Sequence, residues 1–127
     1  MDFMTADSVT NLLQKFLDVQ SQKAQVIAGN IANADTPGYV AKELEFDEYL
    51  RNAARESELP LSKQNQQTVN QPRIVEQESS VIGLDGNTVD AGKEMADLAQ
   101  TGTNFNFGAK MLQSRFRLLR SAIREGR

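Results

Sequence analysis

Apolar residues recur every three or four positions at both ends of the chain, and a polar stretch separates the two ends. This spacing returns a side chain to the same face of a helix at each turn. In the first third the positions concerned are Val9, Leu13, Phe16, Ala24, Ile27 and Ile31. The pattern predicts one long helix over residues 7–34. Pro37 and Gly38 are expected to end it, because proline lacks a backbone N–H and glycine accommodates a tight turn.

The last third of the chain has the more regular pattern. Steps of three and four residues alternate there as in a coiled-coil seam. The seam positions are Met95, Leu98, Gly102, Phe105, Ala109, Leu112, Phe116, Leu119 and Ile123. We predict a second long helix over residues 90–125, with Asp90 as its N-cap because a short acidic side chain accepts from free N–H groups. Gly102 is expected to mark a kink or a close helix contact.

Residues 35–89 are predicted to form a turn, loops and short strands. Residues 43–55 can form a short amphipathic helix, residues 73–77 and 81–82 short strands, and Asp85-Gly86 a tight turn. The Gln- and Asn-rich stretch at 62–72 has little to bury and predicts a mobile loop.

Each terminal helix needs a partner for its apolar face, and the simplest partner is the other helix. We therefore expect a mainly α fold in which long N- and C-terminal helices pair as a coiled-coil hairpin. A small polar middle region of loops and short strands would join them within one domain of residues 1–127. Two helices alone bury little surface for a chain of this size. The seam is thus expected to be completed by other subunits, which indicates an assembly protein.

The composition narrows the possible chemistry. The 127 residues include no Cys, His or Trp, which excludes disulfides, zinc fingers, thiol nucleophiles and Ser-His-Asp triads. A calcium loop starting at Asp85 fails the EF-hand spacing, because its fifth position is Val89 and its twelfth is Ala96. We predict no catalytic, cofactor-binding or metal-binding residue, and no enzyme.

The net charge of −3 conceals an uneven distribution. Residues 110–127 contain six basic residues and one acid, whereas the rest of the chain contains eight basic and sixteen acidic residues. Arg117, Arg120 and Arg124 recur at helical spacing, and we interpret them as inter-subunit ion pairs. A solvated helix flank, or a basic-tailed module for anionic membrane or nucleic acid, is the alternative. No aromatic residue is interleaved among these arginines, and nucleic acid is not expected as a partner.

The end of the first helix is rich in small residues and asparagine. Small residues let a second helix approach closely, and the side chains of Asn30 and Asn33 can bond carbonyls of this chain or of a neighbour. An ordinary helix stop is the alternative interpretation.

Residues 30–39, which read Asn-Ile-Ala-Asn-Ala-Asp-Thr-Pro-Gly-Tyr, resemble the signature near the N-terminus of the bacterial flagellar rod, hook and hook-associated family. Residues 84–90 and the ending 116–123 are similar to rod subunits of the flagellar basal body, those of the proximal rod in particular. The resemblance extends over essentially the whole chain and is weakest across residues 53–77.

The resemblance implies a structural subunit that polymerises through its terminal helices into the proximal part of the flagellar drive shaft. It implies export from the cytoplasm to the periplasmic rod by the flagellar type III apparatus, without a cleaved signal peptide. The acidic start of the chain, without a basic and apolar leader, agrees with that route. The implied partners are other rod subunits, in a homo- or hetero-polymer, and the membrane-ring and export-gate proteins. Another short rod protein of the same axial family is the alternative.

The signature and the seam together supply the expected assembly interface. Its candidate residues are Asn30, Ala32, Asn33, Asp35, Thr36, Pro37, Gly38, Tyr39, Leu98, Phe105, Leu112, Phe116, Leu119 and Ile123.

Overall fold

Three helices and a two-stranded sheet make up the structure, a computed structural model in which residues 3–58, 71–79 and 81–126 are described. The elements follow in the order α1 (Phe3–Ala32), β1 (Lys42–Glu45), α2 (Asp47–Glu58), β2 (Arg73–Glu76) and α3 (Ala91–Glu125). The predicted mainly α fold with two long packed terminal helices is confirmed. Helix α1 begins and ends slightly earlier than the predicted range 7–34.

Helices α1 and α3 pack against each other in antiparallel orientation. Asn87, which precedes α3, bonds to residues just after the end of α1. Further along, Gly108 of α3 lies against the side chains of Phe16 and Leu17 of α1. With 30 and 35 residues, the helices are about 45 and 52 Å long at a rise of 1.5 Å per residue. Asp90 caps α3 as predicted, since its Oδ1 accepts from the Lys93 N–H at 3.1 Å.

The middle region differs from its prediction in two places. Residues 42–45 form a strand that pairs antiparallel with β2, with Lys42 opposite Glu76 and Glu45 opposite Arg73. The helix predicted over 43–55 therefore begins only at Asp47 and continues to Glu58. The strand predicted at 81–82 is wrong, because these residues belong to a loop closed by its own backbone hydrogen bonds. The loop predicted at 62–72 lies outside the described residues, except for its last two positions.

The core is small and partly polar. Its buried apolar residues, within the described ranges, are Val19, Ile27, Ala41, Leu44 and Ala53. The buried part of α3 comprises Glu94, Thr101 and Gly108, which recur every seven residues. When the Gln77 amide is oriented with its nitrogen toward Glu94, that nitrogen donates to Glu94 Oε1 at 3.1 Å. The buried carboxylate therefore has a hydrogen-bond partner. The contact between the two long helices therefore depends on close approach as well as on apolar burial.

The two helices approach each other closely at Gly108, whereas the sequence predicts such a contact at Gly102. A Cβ placed on Gly108 would lie 2.9 Å from Phe16 Cδ1 and 3.1 Å from Leu17 Cδ2, closer than side chains tolerate. A Cβ on Gly102 would meet nothing within 4 Å, and α3 continues unbroken through that residue. The close helix contact predicted at Gly102 is therefore wrong within the single chain, and a kink at that residue stays a prediction. None of the helices in the described ranges is long and apolar enough to cross a membrane.

Candidate assembly surfaces

A buried asparagine connects the end of α1 to strand β1. Asn30 has no exposed surface. Its Nδ2 donates to the Lys42 carbonyl at 2.7 Å, and its Oδ1 accepts from the Lys42 N–H at 2.9 Å. The Tyr39 hydroxyl also donates to this oxygen, at 3.3 Å. Because one side-chain amide satisfies both backbone groups of Lys42, it acts like one more residue of a β-ladder.

Asn33 and Thr36 close the last turn of α1. The Asn33 Nδ2 donates to the Gly29 carbonyl at 2.8 Å, which satisfies one of the free acceptors at the helix end. The Thr36 hydroxyl donates to Asn33 Oδ1 at 3.1 Å. Both asparagines of the sequence signature therefore have partners within this chain.

Asn87 is the residue that sequence reasoning missed. The residue is only 6% exposed. Its Nδ2 donates to the carbonyls of Asn33 at 2.9 Å, Ala34 at 3.0 Å and Thr36 at 2.8 Å. Its Oδ1 accepts from the Val89 N–H at 2.8 Å. The acceptors lie more than 50 positions earlier in the sequence. No local pattern indicates such a contact, although both segments carry the family resemblance.

The loop before α3 is tied to the turn after α1. The Gly38 N–H donates to the Asp85 carbonyl at 2.9 Å, and the Thr88 N–H donates to the Tyr39 carbonyl at 3.1 Å. Gly38 and Gly86 have φ values of 72° and 82°, a backbone region that glycine adopts without strain. The tight turn predicted at Asp85-Gly86 is confirmed. These bonds make the two segments one structural unit.

The predicted interface residues of the signature divide into two groups. Asp35, Thr36, Pro37 and Gly38 are exposed, as is Ala32. Asn30 is buried, while Asn33 and Tyr39 are half-buried and bonded as described. The exposed group forms a continuous turn on the surface, and the others hold its shape. Their assignment to an assembly interface stays a prediction.

The predicted seam of α3 lies beside the face that contacts α1. Three buried residues, Glu94, Thr101 and Gly108, each precede a seam residue by one position: Met95, Gly102 and Ala109. Phe116 and Ile123 continue that seam line toward the end of the helix. One residue corresponds to a rotation of about 100° around the helix. Leu98, Leu112 and Leu119 lie between the two lines and are half-buried. Phe105, Phe116 and Ile123 are 40%, 51% and 59% exposed.

The arginines near the end of α3 face solvent. Arg117, Arg120 and Arg124 are exposed and, within the described part of the chain, make no ion pair. Arg117 lies nine residues beyond Gly108, hence about 180° around the helix from the contact with α1. By contrast, Arg73 on β2 bonds Glu45 at 2.7 Å, and this hydrogen bond raises the pKa of Arg73.

The described residues offer little for chemistry. They contain no cluster of acids that could hold a metal ion. An open groove of about 320 Å³ lies between α1 and the sheet, lined mainly by Val26, Tyr39, Leu44, Ile74 and glutamines. That lining suits side-chain packing. The surfaces that stand out are therefore the turn after α1 and the exposed apolar line of α3.

Comparison with known proteins gives a consistent set of relatives. A family model described as "Flagella basal body rod protein" matches residues 17–39, which are the second half of α1 and the turn. The flagellar basal body rod protein FlgB of Salmonella typhimurium is 30% identical, over 94% of this chain and 96% of the relative. FlgB of Escherichia coli K12 is 28% identical over the same shares. FlgB of Bacillus subtilis is 31% identical, over 91% of this chain and 92% of the relative.

Proposed function

Because the chain belongs to the FlgB family of flagellar basal body rod proteins, we propose that it polymerises through its terminal helices to form the proximal part of the rod. Like the relatives that it matches, it is a structural protein of the flagellar basal body rod and not an enzyme. Its mechanism is packing: apolar side chains that one subunit leaves exposed are buried by its neighbours.

The exposed apolar line of α3 carries this proposal. Phe105, Phe116 and Ile123 lie along one side of the helix and are about half exposed in the single chain. Burying a phenylalanine or isoleucine side chain stabilises by about 1.5–3 kcal/mol. A monomeric protein rarely leaves such a row uncovered, and contiguous exposed apolar surface marks a contact site. The half-buried Leu98, Leu112 and Leu119 border the same surface and complete the proposed interface.

The turn after α1 is the second part of the proposed interface. Asp35, Thr36, Pro37 and Gly38 are exposed on a scaffold fixed by Asn30, Asn33 and Asn87. Because the scaffold is bonded within one chain, a neighbour would meet a preformed surface and lose little conformational entropy on binding. Ala32 and Tyr39 flank this surface.

The exposed arginines are assigned to ion pairs between subunits. Arg117, Arg120 and Arg124 lie next to the apolar line, and the rest of the chain carries an excess of eight acids. Such pairs set the register and the choice of partner more than they set affinity.

The proposed partners are other rod subunits, the membrane-ring proteins and the export-gate proteins of the basal body. Passage through the type III apparatus without a cleaved signal peptide is part of the same proposal. A chain that has no cysteine and buries only a small core suits an exported subunit that folds on assembly. Co-isolation with membrane-ring and export-gate proteins, rather than with distal rod proteins alone, tests the proximal position.

Replacing Phe116 by Asp tests the interface. We expect Phe116→Asp to abolish rod assembly and motility, because a charge would have to be buried without a partner. The purified variant should keep its helix content and solubility, since Phe116 contributes little to the core of the single chain. Leu112→Asp should act in the same direction.

Ser114→Asp is the matched control. Ser114 is exposed on the same helix and precedes Phe116 by two residues, which places it about 200° around the helix from the apolar line, so this variant should build rods normally. Electron microscopy of isolated basal bodies and a motility assay provide the readouts. Normal rods built from Phe116→Asp would refute the assignment of the interface to this line.

A further inference from the structure

Strand β2 forms one edge of the two-stranded sheet. It pairs with β1 on one side only, from Arg73 opposite Glu45 to Glu76 opposite Lys42. Within the described ranges, no other helix or strand packs along its length. An edge strand leaves a row of N–H and C=O groups without partners, and such a row accepts a further strand. The free side of β2 therefore has the backbone chemistry to bind another chain.

The pairing with β1 determines which residues of β2 face that free side. The Gln77 N–H donates to the Ala41 carbonyl at 2.8 Å, and bonded positions alternate along an antiparallel ladder. Val75 therefore directs its backbone groups toward β1, whereas Ile74 and Glu76 direct theirs to the free side. In the described part of the chain, those outward groups have no hydrogen-bond partner.

Bonds at both ends of β2 hold the strand in place. At its start, Arg73 bonds Glu45 on β1 at 2.7 Å. Beyond its end, the Ser79 hydroxyl donates to the Thr88 carbonyl at 3.0 Å, in the segment that leads to α3. The edge is thus preformed, and this chain would lose little conformational entropy when a segment binds to it.

An apolar groove lies beside the edge. Ile74 and Leu44 are directly opposite each other in the sheet and lie on one face of it. Together with Val26, they line the open groove of about 320 Å³ between α1 and the sheet. Ile74 is still 59% exposed, so an added strand would place an apolar side chain against it at the mouth of the groove. Strand addition gains affinity from main-chain bonds and specificity from side-chain pockets of this kind.

The charge along the edge indicates which segment fits. Glu76 lies two positions from Ile74, hence on the same face of β2. It is exposed and makes no ion pair with any described residue. Glu78, two positions further along the chain, is also exposed. Arg73 lies on the other face, where it pairs with Glu45. A binding segment should therefore carry a basic side chain two positions from its apolar one.

The described residues of a second copy of this chain offer no free extended segment of that kind. In β1, Lys42 and Leu44 have the right spacing. However, β2 occupies one side of β1, and Asn30 bonds both backbone groups of Lys42 on the other side. The segments that lead from α1 to β1 and from β2 to α3, residues 33–41 and 77–90, contain no lysine or arginine. The occupant that fits is therefore a segment of another protein.

We propose that the free edge of β2 binds an extended segment of a different protein as a third strand of the sheet. The apolar side chain of that segment packs against Ile74, and its lysine or arginine pairs with Glu76. This surface lies on the middle region, apart from the α3 interface proposed above, and its binding does not depend on that interface.

A peptide titration of the purified full-length chain tests the proposal. The probe peptide reads threonine, lysine, threonine, valine, threonine, lysine, threonine, so it presents the proposed side chains on one face in either direction. We expect saturable changes in the amide NMR signals, and about tenfold slower hydrogen exchange of the Ile74 and Glu76 amides in the bound state. The Val75 amide, which faces β1, should change less. The same peptide with methylated backbone nitrogens is the control and should bind about tenfold more weakly.

Two charge variants test the role of Glu76. Glu76→Lys should weaken binding of the lysine peptide about tenfold and should favour a peptide in which glutamate replaces both lysines. Glu43→Lys is the matched control, because Glu43 is exposed and opposite Val75, on the other face of the sheet. That variant should leave both affinities unchanged. A Glu76→Lys chain that keeps the original preference would refute the proposed pairing.

The titration decides against strand addition in two cases. One is equal binding of the methylated peptide, and the other is the absence of any saturable change at millimolar peptide. Both results concern the free subunit and leave the proposed rod function standing. Failure of that function appears differently, as absence of the chain from isolated basal bodies.

Photocrosslinking in isolated basal bodies identifies the occupant, with a photoreactive amino acid in place of Ile74. We expect a crosslink to a different protein, at a segment with a lysine or arginine two positions from an apolar residue. The yield should fall about tenfold when the chain also carries Glu76→Lys. A crosslink to another copy of this chain, or no crosslink in basal bodies that contain the chain, would overturn the proposal.

Discussion

At the residue scale, the asparagines of this chain are structural elements in their own right. Asn30 substitutes for a strand residue beside Lys42, and Asn87 caps the end of α1 from a distant part of the sequence. A side-chain amide suits both roles because it carries two donors and an acceptor in one plane. The turn after α1 therefore depends on amides that a purely apolar core could not replace.

Replacing Asn87 should destabilise the free subunit. Asn87→Ala removes the two N–H donors that three carbonyls share and the acceptor of the Val89 N–H. We expect a loss of about 2–3 kcal/mol in the free energy of unfolding, since each net hydrogen bond contributes about 1 kcal/mol. Asn87→Asp should cost at least as much, because a carboxylate would face the same three carbonyl oxygens. Urea unfolding followed by circular dichroism measures the change.

Asn106→Ala is the control for the two Asn87 variants. Asn106 is exposed on α3, and its replacement should shift the free energy of unfolding by less than about 0.5 kcal/mol. If Asn87→Ala unfolds at the same urea concentration as Asn106→Ala, the cap does not hold the turn in solution.

At the element scale, the pairing of α1 and α3 depends on a glycine. Gly108→Ala places a methyl group 2.9 Å from the Phe16 ring and 3.1 Å from Leu17 Cδ2. Overpacking of this kind costs about 1–3 kcal/mol. Gly102→Ala has open space around it and should stabilise by about 0.5–1 kcal/mol, because alanine is the better helix former. The two substitutions are chemically identical, so changes of opposite sign in the thermal unfolding temperature would isolate the contribution of the helix contact. Equal stabilisation by both would contradict the contact.

The helices themselves could be predicted from the sequence, whereas their contact face could not. Periodicity located α3 and its Asp90 cap because local spacing and capping chemistry decide them. The buried line of Glu94, Thr101 and Gly108 has no apolar signal, and the adjacent seam has the same spacing whether its partner is α1 or another subunit. Strand β1 was missed since four residues with one buried side chain, Leu44, also fit a helical pattern.

The residues of the candidate surfaces could be predicted from the sequence only in part. The exposed residues Asp35, Phe116 and Ile123 were selected from resemblance and spacing, which do not depend on knowing the neighbours. The role of Asn87 and the contact between Gly38 and Asp85 required the tertiary structure, because both are bonds between segments more than 40 residues apart. Long-range polar contacts of this kind leave no periodic trace in a sequence.

At the scale of the whole molecule, the described residues bury only a small core of their own. The chain's apolar residues are divided between a core of small extent and an exposed line on α3, and its charge is divided between an acidic body and a basic end. Under the proposed assembly, such a subunit would gain stability from its neighbours. The absence of cysteine, which removes one source of stabilisation, also leaves the chain free for single-cysteine experiments.

Cysteine labelling along α3 is the most direct test of the claim that neighbours cover its apolar line. Phe116→Cys and Ile123→Cys should react readily with a maleimide reagent in the free subunit and at least tenfold more slowly in assembled rods. Arg51→Cys on α2 checks that the reagent reaches the rods. If both α3 variants react equally fast in free subunits and in rods, the line stays exposed after assembly, and the account is contradicted.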